Sequence, residues 1–286
     1  MVLFRRGMHF GSYGRVDDGP PVFGRLADSV QAAEAAGFDA ISVPDHVLQN
    51  QVAGGPASPM FEAYTLLGAL AMRTSSARLL ALVSPVTLRG PGVLVKAVTT
   101  VDVLSGGRAV LGVGAGWDAA EHEAYGISFP PIAERFDRLD ETLAICRALF
   151  RDQRASVAGT FYQVREAFNS PRPVAGTIPV LVAGGGERRT LDLVARYGDA
   201  CNVFGGDPAV VRHKFDVLRR HCERVGRDPA GITKTVFVFA TEDLAGFASG
   251  VRGYAAAGAD GVFVVGPDDP SRIPPIGQVL GDVFPG

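Results

Sequence analysis

Short apolar runs alternate along the chain with longer segments that have helical periodicity. The first run covers 8–10, and Leu26, Val30 and Ala33 then recur at helical spacing before a second run at 40–43. The later apolar runs cover 77–83, 109–113, 180–183, 200–203, 235–240 and 261–265. Each run is followed by a segment that predicts a helix, the last of them near 276–283. The pattern therefore predicts eight strands that alternate with eight helices.

This alternation indicates a parallel sheet, because a helical connection returns the chain to the same end of the sheet. A count of eight favours closure into a (β/α)8 TIM barrel over an open doubly wound sheet. The alternation is interrupted between strands four and five, where an extended loop, a helix at 132–150 and a small hairpin near 156–164 are predicted. We expect one barrel domain over residues 1–286.

Composition narrows the possible classes of protein. Hydrophobic residues make up 47% of the 286 residues, and the formal charge is −2, which favours neither nucleic acid nor a membrane surface as partner. No apolar run reaches the ~18 residues of a transmembrane helix, and no signal peptide is evident. Three widely spaced cysteines predict neither a disulfide framework nor a zinc site. We therefore expect a soluble, cytoplasmic protein.

The fourth predicted strand ends in glycine. Gly112, Gly114 and Gly116 are followed at once by Trp117, so a bare backbone would let a flat ligand approach closely. The alternative is a packed strand end with a surface loop. These glycines are not a dinucleotide fingerprint, because the third glycine of G-x-G-x-x-G would fall on Trp117.

A second glycine cluster lies between strand five and the next helix. Gly184, Gly185 and Gly186 offer free amides at a helix N-terminus, which is a ready site for phosphate. Arg188 and Arg189 add positive charge. A tight strand-to-helix turn without a ligand is the alternative reading.

Asp45 and His46 end the second predicted strand, on the face where barrel enzymes place their chemistry. A histidine there can act as acid or base near neutral pH, donate a hydrogen bond, or serve only the structure. His122 lies between Glu121 and Glu123 without a matched ligand set, so no metal site is expected. A serine hydrolase is disfavoured because no G-x-S-x-G elbow occurs.

With these stretches the chain resembles the luciferase-like monooxygenase superfamily, in particular its branch that uses the deazaflavin coenzyme F420. The matching stretches are 32–40, 43–46, 82–87, 102–108, 111–118, 121–126 and 184–191, and they occur in the family's order. The resemblance implies a barrel whose cofactor lies across the C-terminal mouth, with a cis non-prolyl bond between residues 81 and 82. The residues that it implies for cofactor binding are Asp45, His46, Ala81, Leu82, Ala115, Ala183, Gly184, Gly185 and Gly186.

The resemblance also implies hydride transfer between F420 and a small organic substrate. Sugar-phosphate dehydrogenases of the family carry a glutamate after the strand-four glycines and a tryptophan soon after the Asp-His pair. Here those positions hold Trp117 and Asn50, which we assign to substrate binding. An apolar indole over the ring favours a flat acceptor with an activated C=C, C=N or C=O bond, with His46 as the catalytic proton donor.

Two other classes stay open. One is an FMN-dependent luciferase-like monooxygenase with a partner reductase, and the other is a non-catalytic flavin-binding member, against which the presence of both Asp45 and His46 argues. The resemblance further implies a homodimer. The loops at 11–22, 49–59 and 117–131, with the hairpin, are expected to shape the pocket for a small-molecule substrate.

Overall fold

The structure is a computed structural model that describes residues 2–14, 22–267 and 269–286. Its strands are β1 Arg6–His9, β2 Ala40–Val43, β3 Arg78–Ala81, β4 Ser84–Pro85, β5 Leu111–Gly114, β6 Ala155–Ala158, β7 Gln163–Ala167, β8 Val180–Ala183, β9 Ala200–Phe204, β10 Thr233–Phe239 and β11 Gly261–Val265. Its α-helices are α1 Val22–Ala35, α2 Ala63–Ala71, α3 Pro91–Leu104, α4 Ala119–Ala124, α5 Ile132–Arg151, α6 Thr190–Tyr197, α7 Pro208–Val225, α8 Leu244–Ala256 and α9 Ile273–Val283.

Nine parallel strand segments form one sheet in the order β3-β2-β1-β11-β10-β9-β8-β5-β4. The sheet closes on itself, because the Leu79 amide donates to the Arg108 carbonyl at 3.0 Å and the Val110 amide donates to the Leu79 carbonyl at 2.9 Å. The predicted TIM barrel is confirmed. No helix in the described part of the chain is long and apolar enough to span a membrane.

The third strand position differs from the prediction. It is not one strand over 77–83 but two short segments, β3 and β4, separated by Leu82 and Val83. Ala81 is the last residue of β3 that pairs with β2, where it lies opposite Val43. The peptide bond between Leu82 and Val83 is cis, so the prediction of a cis bond between Ala81 and Leu82 is wrong by one residue. The regular pairing of Ala81 explains why the irregular bond falls after it.

Side chains alternate along each strand between two apolar clusters. Leu80, Val110 and Leu181 belong to a small cluster with Phe4 and Phe263 that fills the barrel interior. Their strand neighbours pack outward against the helices in the larger core. Above the interior cluster, polar residues pair across neighbouring strands. His9 Nδ1 lies 3.0 Å from Ser42 Oγ, and Asn202 Nδ2 donates to Thr235 Oγ1 at 2.9 Å.

The interruption between strands four and five has the predicted parts and one more. α5 and the antiparallel hairpin β6–β7 are present where the sequence predicts them. The additional part is α4, a helix of six residues whose N-cap is Asp118. The Asp118 carboxylate accepts hydrogen bonds from the amides of Ala120 and Glu121 at 3.0 and 3.3 Å. This cap lets the helix begin directly after the glycines of β5.

Candidate functional site

A cavity of about 560 Å³ opens at the C-terminal ends of the strands. One wall consists of His46, Trp117 and Glu121. The opposite wall is the glycine loop after β8, and apolar side chains close the sides. Of the predicted site residues, the cavity brings together His46, Leu82, Ala115, Trp117, Ala183, Gly184, Gly185 and Gly186. It lies on the face where barrel enzymes place their chemistry.

His46 is held by a buried carboxylate from α4. Its Nδ1 atom lies 2.9 Å from Glu121 Oε1, and Glu121 Oε2 accepts a hydrogen bond from the Val47 amide at 2.9 Å. The Glu121 side chain is 1% exposed and the His46 side chain is 13% exposed. Both carboxylate oxygens are therefore engaged, and Nε2 is the His46 nitrogen left for a ligand in the cavity.

Burial and charge act in opposite directions on His46. Burial disfavours the charged imidazolium, but the hydrogen bond and the negative charge of Glu121 outweigh it, so the pKa of His46 lies above its usual value. Burial likewise opposes ionisation of Glu121, yet the hydrogen bond from His46 holds the pKa of that carboxyl below its usual value. The pair therefore favours the protonated form of His46 more than a free histidine side chain would.

Trp117 shares the His46 wall. The two rings meet edge to face, with centroids 5.5 Å apart and an interplanar angle of 72°. The indole is 66% exposed although it is large and apolar. An exposed aromatic ring beside an ionisable group at a cavity mouth is typical of a ligand site.

Asp45 does not line the cavity. It is 1% exposed, and its Oδ2 atom accepts a hydrogen bond from Arg89 Nη1 at 2.6 Å. Arg89 also pairs with Glu62, which is the N-cap of α2. The structure thus places Asp45 in a buried ion pair, where burying a lone carboxylate would otherwise be costly.

Two further predicted residues lie outside the cavity wall. Ala81 is fully buried in β3. Asn50 caps a short 3-10 helix, where its side-chain oxygen accepts a hydrogen bond from the Ala53 amide at 3.0 Å. Among the side chains that the structure describes, the loop at 49–59 and the hairpin contribute no lining residue, whereas the segment after β5 contributes Trp117 and Glu121. Of the loop predicted at 11–22, residues 15–21 lie outside the described part of the chain.

The glycines in and just after β5, which is the fourth strand of the sequence-based prediction, have two different roles. A Cβ atom on Gly112 would come within 2.0 Å of the Ala81 carbonyl oxygen, so this glycine permits close packing of β3 against β5. The expectation that Gly112 faces a ligand is therefore wrong. Gly114, Ala115 and Gly116 do line the cavity, and the two glycines carry no side chain there.

The glycine loop after β8 forms the opposite wall. Gly184 has a φ of +122°, which favours glycine, and its amide donates to the Asn202 carbonyl at 2.9 Å. Within the described chain, the amides of Gly185 and Gly186 have no backbone or side-chain acceptor. These amides lie just ahead of α6, whose first residue Thr190 also lines the cavity. Free amides at a helix N-terminus suit a phosphate group.

The cations near this loop are already partly neutralised. Arg189 pairs with Asp137 at 2.5 Å, and Lys214 Nζ lies 2.6 Å from Glu187 Oε1. Arg188 is exposed. None of these three cations lines the cavity, so the loop presents mainly its backbone to an anion there.

The ligand atoms of His46, Asp118 and Glu121 lie within 4.8 Å of one another, which is close enough to hold a metal ion. Asp118 however caps α4, and both oxygens of Glu121 are engaged by His46 and Val47. The expectation that the site holds no metal stays a prediction.

Several lining residues lie outside the sequence-based prediction. They are Val83, Pro85, Glu121, Ile132, Phe136, Thr190, Asn202, Phe204 and Phe237. Glu121 had a local signal, since an acidic residue follows the Asp118 cap in the first turn of a helix. Phe204 and Phe237 had the signal of aromatic residues near strand ends, where polar residues are more usual on this face.

A parallel barrel with a glycine loop and a histidine at its C-terminal mouth defines a ligand-binding TIM-barrel protein. Residues 2–244 match the family described as luciferase-like monooxygenase, and the chain belongs to this family. The F420-dependent glucose-6-phosphate dehydrogenase of Segniliparus rotundus is 32% identical over 219 residues, which are 74% of this chain and 62% of that protein. The enzyme of the same name from Kineococcus radiotolerans is 32% identical over 216 residues, with the same coverage of 74% and 62%. The chain thus spans about 62% of the length of these relatives.

Solved structures share the fold at lower identity. Coenzyme F420-dependent tetrahydromethanopterin reductase from Methanopyrus kandleri superposes with a TM-score of 0.79 at 17% identity, over 98% of this chain and 99% of that one. An F420-dependent secondary alcohol dehydrogenase superposes with a TM-score of 0.72 at 18% identity, over 99% and 85%. The monooxygenase RslO1 from Streptomyces bottropensis gives 0.74 at 18% identity, over 98% of each chain. At this identity the likeness concerns the fold.

Proposed function

We propose that this chain is an F420-dependent oxidoreductase that transfers a hydride between F420 and a small organic substrate. We propose further that it reduces an activated C=C, C=N or C=O bond. The observation that carries the proposal is one cavity with a charge-stabilised histidine on one wall and the free amides of Gly185 and Gly186 on the other.

The residues present fit this cofactor. The Gly185 and Gly186 amides would receive its phosphate, and the backbone at Gly114–Gly116 would lie along its planar ring. Leu82 and Val83 supply an apolar surface for the same ring. When bound, F420 supplies or accepts a hydride at the ring carbon that replaces the reactive nitrogen of a flavin.

His46 would supply the proton that the reduction consumes. When a hydride adds to one atom of a double bond, the other atom must gain one proton. Glu121 holds Nδ1, so a protonated His46 presents its Nε2–H to the cavity and donates that proton to the substrate. The raised pKa of His46 favours this protonated state, which is the state that reduction requires.

The names of the relatives support F420 over FMN. The curated relatives from Segniliparus rotundus and Kineococcus radiotolerans are both named as F420-dependent enzymes. The alternative, an FMN-dependent monooxygenase, is favoured only by the family's description and by distant structures such as RslO1. A non-catalytic flavin-binding protein would not need the buried His46–Glu121 pair, so this pair argues against that alternative.

Cofactor titration tests the proposal. The protein is titrated separately with oxidised F420 and with FMN, and binding is followed through the emission of Trp117, which is the one tryptophan of the chain. Saturable quenching by F420 is expected, and tight binding of FMN with none of F420 would refute the proposal.

Turnover tests the role of His46. Reduced F420 is mixed with activated alkenes, imines and carbonyls, and oxidation of the cofactor is followed. His46→Ala is expected to slow the reduction about 100-fold or more, in the usual range for loss of a general acid. A variant as fast as the wild type would exclude the acid role.

The remaining expectations stay predictions. They are the single domain over 1–286, the homodimer, the cytoplasmic location, and the absence of nucleic-acid and membrane partners. Sedimentation velocity over a range of protein concentrations tests the homodimer directly.

A further inference from the structure

A row of phenylalanine rings borders the cavity at the C-terminal ends of β9 and β10. Phe237 on β10 lies directly opposite Phe204 on β9, and Phe239 follows two residues later on the same face of β10. The ring centroids of Phe204 and Phe237 are 5.8 Å apart, and those of Phe237 and Phe239 are 5.7 Å apart. His9 packs edge-on against Phe237 at 5.2 Å and supports the row from within the barrel.

The outer rings of this row are exposed. Phe204 is 75% exposed and Phe239 is 62% exposed, although both end strands whose other residues are largely buried. Phe204 and Phe237 line the cavity, and Phe239 extends the row outward. Exposed aromatic rings concentrated at the rim of a cavity mark a surface that a ligand covers.

The same cavity offers little for a charged substrate. No lysine or arginine belongs to its described lining, and His46 and Glu121 are its ionisable residues. Glu121 is engaged by His46 and Val47. A phosphate dianion is normally recognised by arginine, lysine or several amides, and the free amides here belong to the cofactor loop.

We propose that the substrate is an uncharged molecule with an aromatic ring that packs on Phe204 and Phe237, and that its reducible bond points toward His46. Phe204 and Phe237 are then residues that determine specificity. This substrate class differs from glucose 6-phosphate, the substrate given in the names of the two relatives at 32% identity described above. The reducible bond rests on the proposed function, whereas the ring-binding surface does not.

Calorimetric binding of two matched ketones tests the inference. The probes are 4-phenylbut-3-en-2-one and pent-3-en-2-one, which carry the same conjugated carbonyl and differ in a phenyl or a methyl group. Binding is measured with and without oxidised F420, which cannot reduce them. We expect the phenyl ketone to bind about tenfold more tightly, as stacking and burial of one ring allow.

Variants locate the binding surface. Phe204→Ala is expected to remove most of the phenyl preference while binding of the methyl ketone stays within about twofold, because the lost ring contact is specific to the phenyl group. Phe168→Ala is the matched control, since Phe168 is 58% exposed and lies outside the cavity wall. Phe168→Ala should retain the full preference.

Any one of four results would show that the substrate does not bind as proposed. They are binding of neither ketone, equal binding of both ketones, retention of the phenyl preference in Phe204→Ala, and binding of glucose 6-phosphate as tight as that of the phenyl ketone. F420 affinity is measured in the same series. If F420 fails to bind while the phenyl preference depends on Phe204, the proposed function is wrong and the ring-binding surface stands.

Discussion

Glu121 controls the protonation of His46, and Glu121→Gln tests this directly. The substitution keeps the size of the side chain and removes its charge. A hydrogen bond to a charged group contributes about 1.5–3 kcal/mol, against about 0.5–1.5 kcal/mol for a neutral one. The 2.9 Å contact is almost fully buried, so solvent screens it little. The variant therefore loses about 1.4 kcal/mol of preference for the charged ring, which lowers the pKa of His46.

The direction of the pH effect follows from the donor role. Reduction requires protonated His46, so the rate falls as pH rises through the pKa of His46. In Glu121→Gln this fall begins at lower pH. Above both pKa values the variant holds about tenfold less protonated His46, so its kcat/KM for reduction is expected to be about tenfold lower. At low pH the two proteins should converge.

Two measurements check this outcome. The pH dependence of kcat/KM gives the functional pKa, and the pH dependence of the His46 ring resonances in NMR gives the pKa without any turnover. Glu123→Gln is the control, because Glu123 lies on the same helix and is exposed. An unchanged His46 pKa in Glu121→Gln, or an equal shift in Glu123→Gln, would refute the reasoning.

Two further predictions concern the glycine loop and the buried histidine. In Gly186→Ala the new Cβ would lie 2.8 Å from Thr190 Oγ1, so the loop or the Thr190 side chain, both in the cavity wall, must shift, and F420 affinity is expected to fall about tenfold by titration. Gly231→Ala, which has no atom within 4 Å of its new Cβ, should bind F420 normally. Burial lowers the pKa of His9 from 6.5 to about 4, with a smaller contribution from the charge of His46. The unfolded chain therefore takes up a proton below pH 6.5 that the folded protein refuses until about pH 4, and about 3 kcal/mol of stability should be lost across that window. Denaturant unfolding should show this loss reduced in His9→Asn and retained in His213→Gln.

The fold was largely predictable because each strand is a short apolar run between helical segments. The bounds of β2, β8 and β11 agree with the prediction to the residue. The errors occur where local pattern is weak. α4 has only six residues, too few to show helical periodicity, and the apolar run at 77–83 gave no sign of its interruption at Leu82 and Val83.

The site was predictable where position along a strand is enough. His46, Trp117 and the glycines after β8 follow strand ends, and parallel strands bring those ends to one face. Asp45 follows a strand end too, but Arg89 draws its carboxylate into an ion pair. Nothing in the local sequence around Asp45 indicates a partner 44 residues away.

Local sequence specified which segments become strands and helices, and so which residues reach the mouth of the barrel. It did so because apolar periodicity reflects the environment of each residue along its own element. The contacts between distant residues follow instead from strand register and packing. Glu121 reaches His46 across 75 positions because α4 folds over the end of β2, and Phe204 meets Phe237 because β9 and β10 pair in one register. The effect of Glu121 on the protonation of His46 and the row of phenylalanine rings both arise from that three-dimensional arrangement.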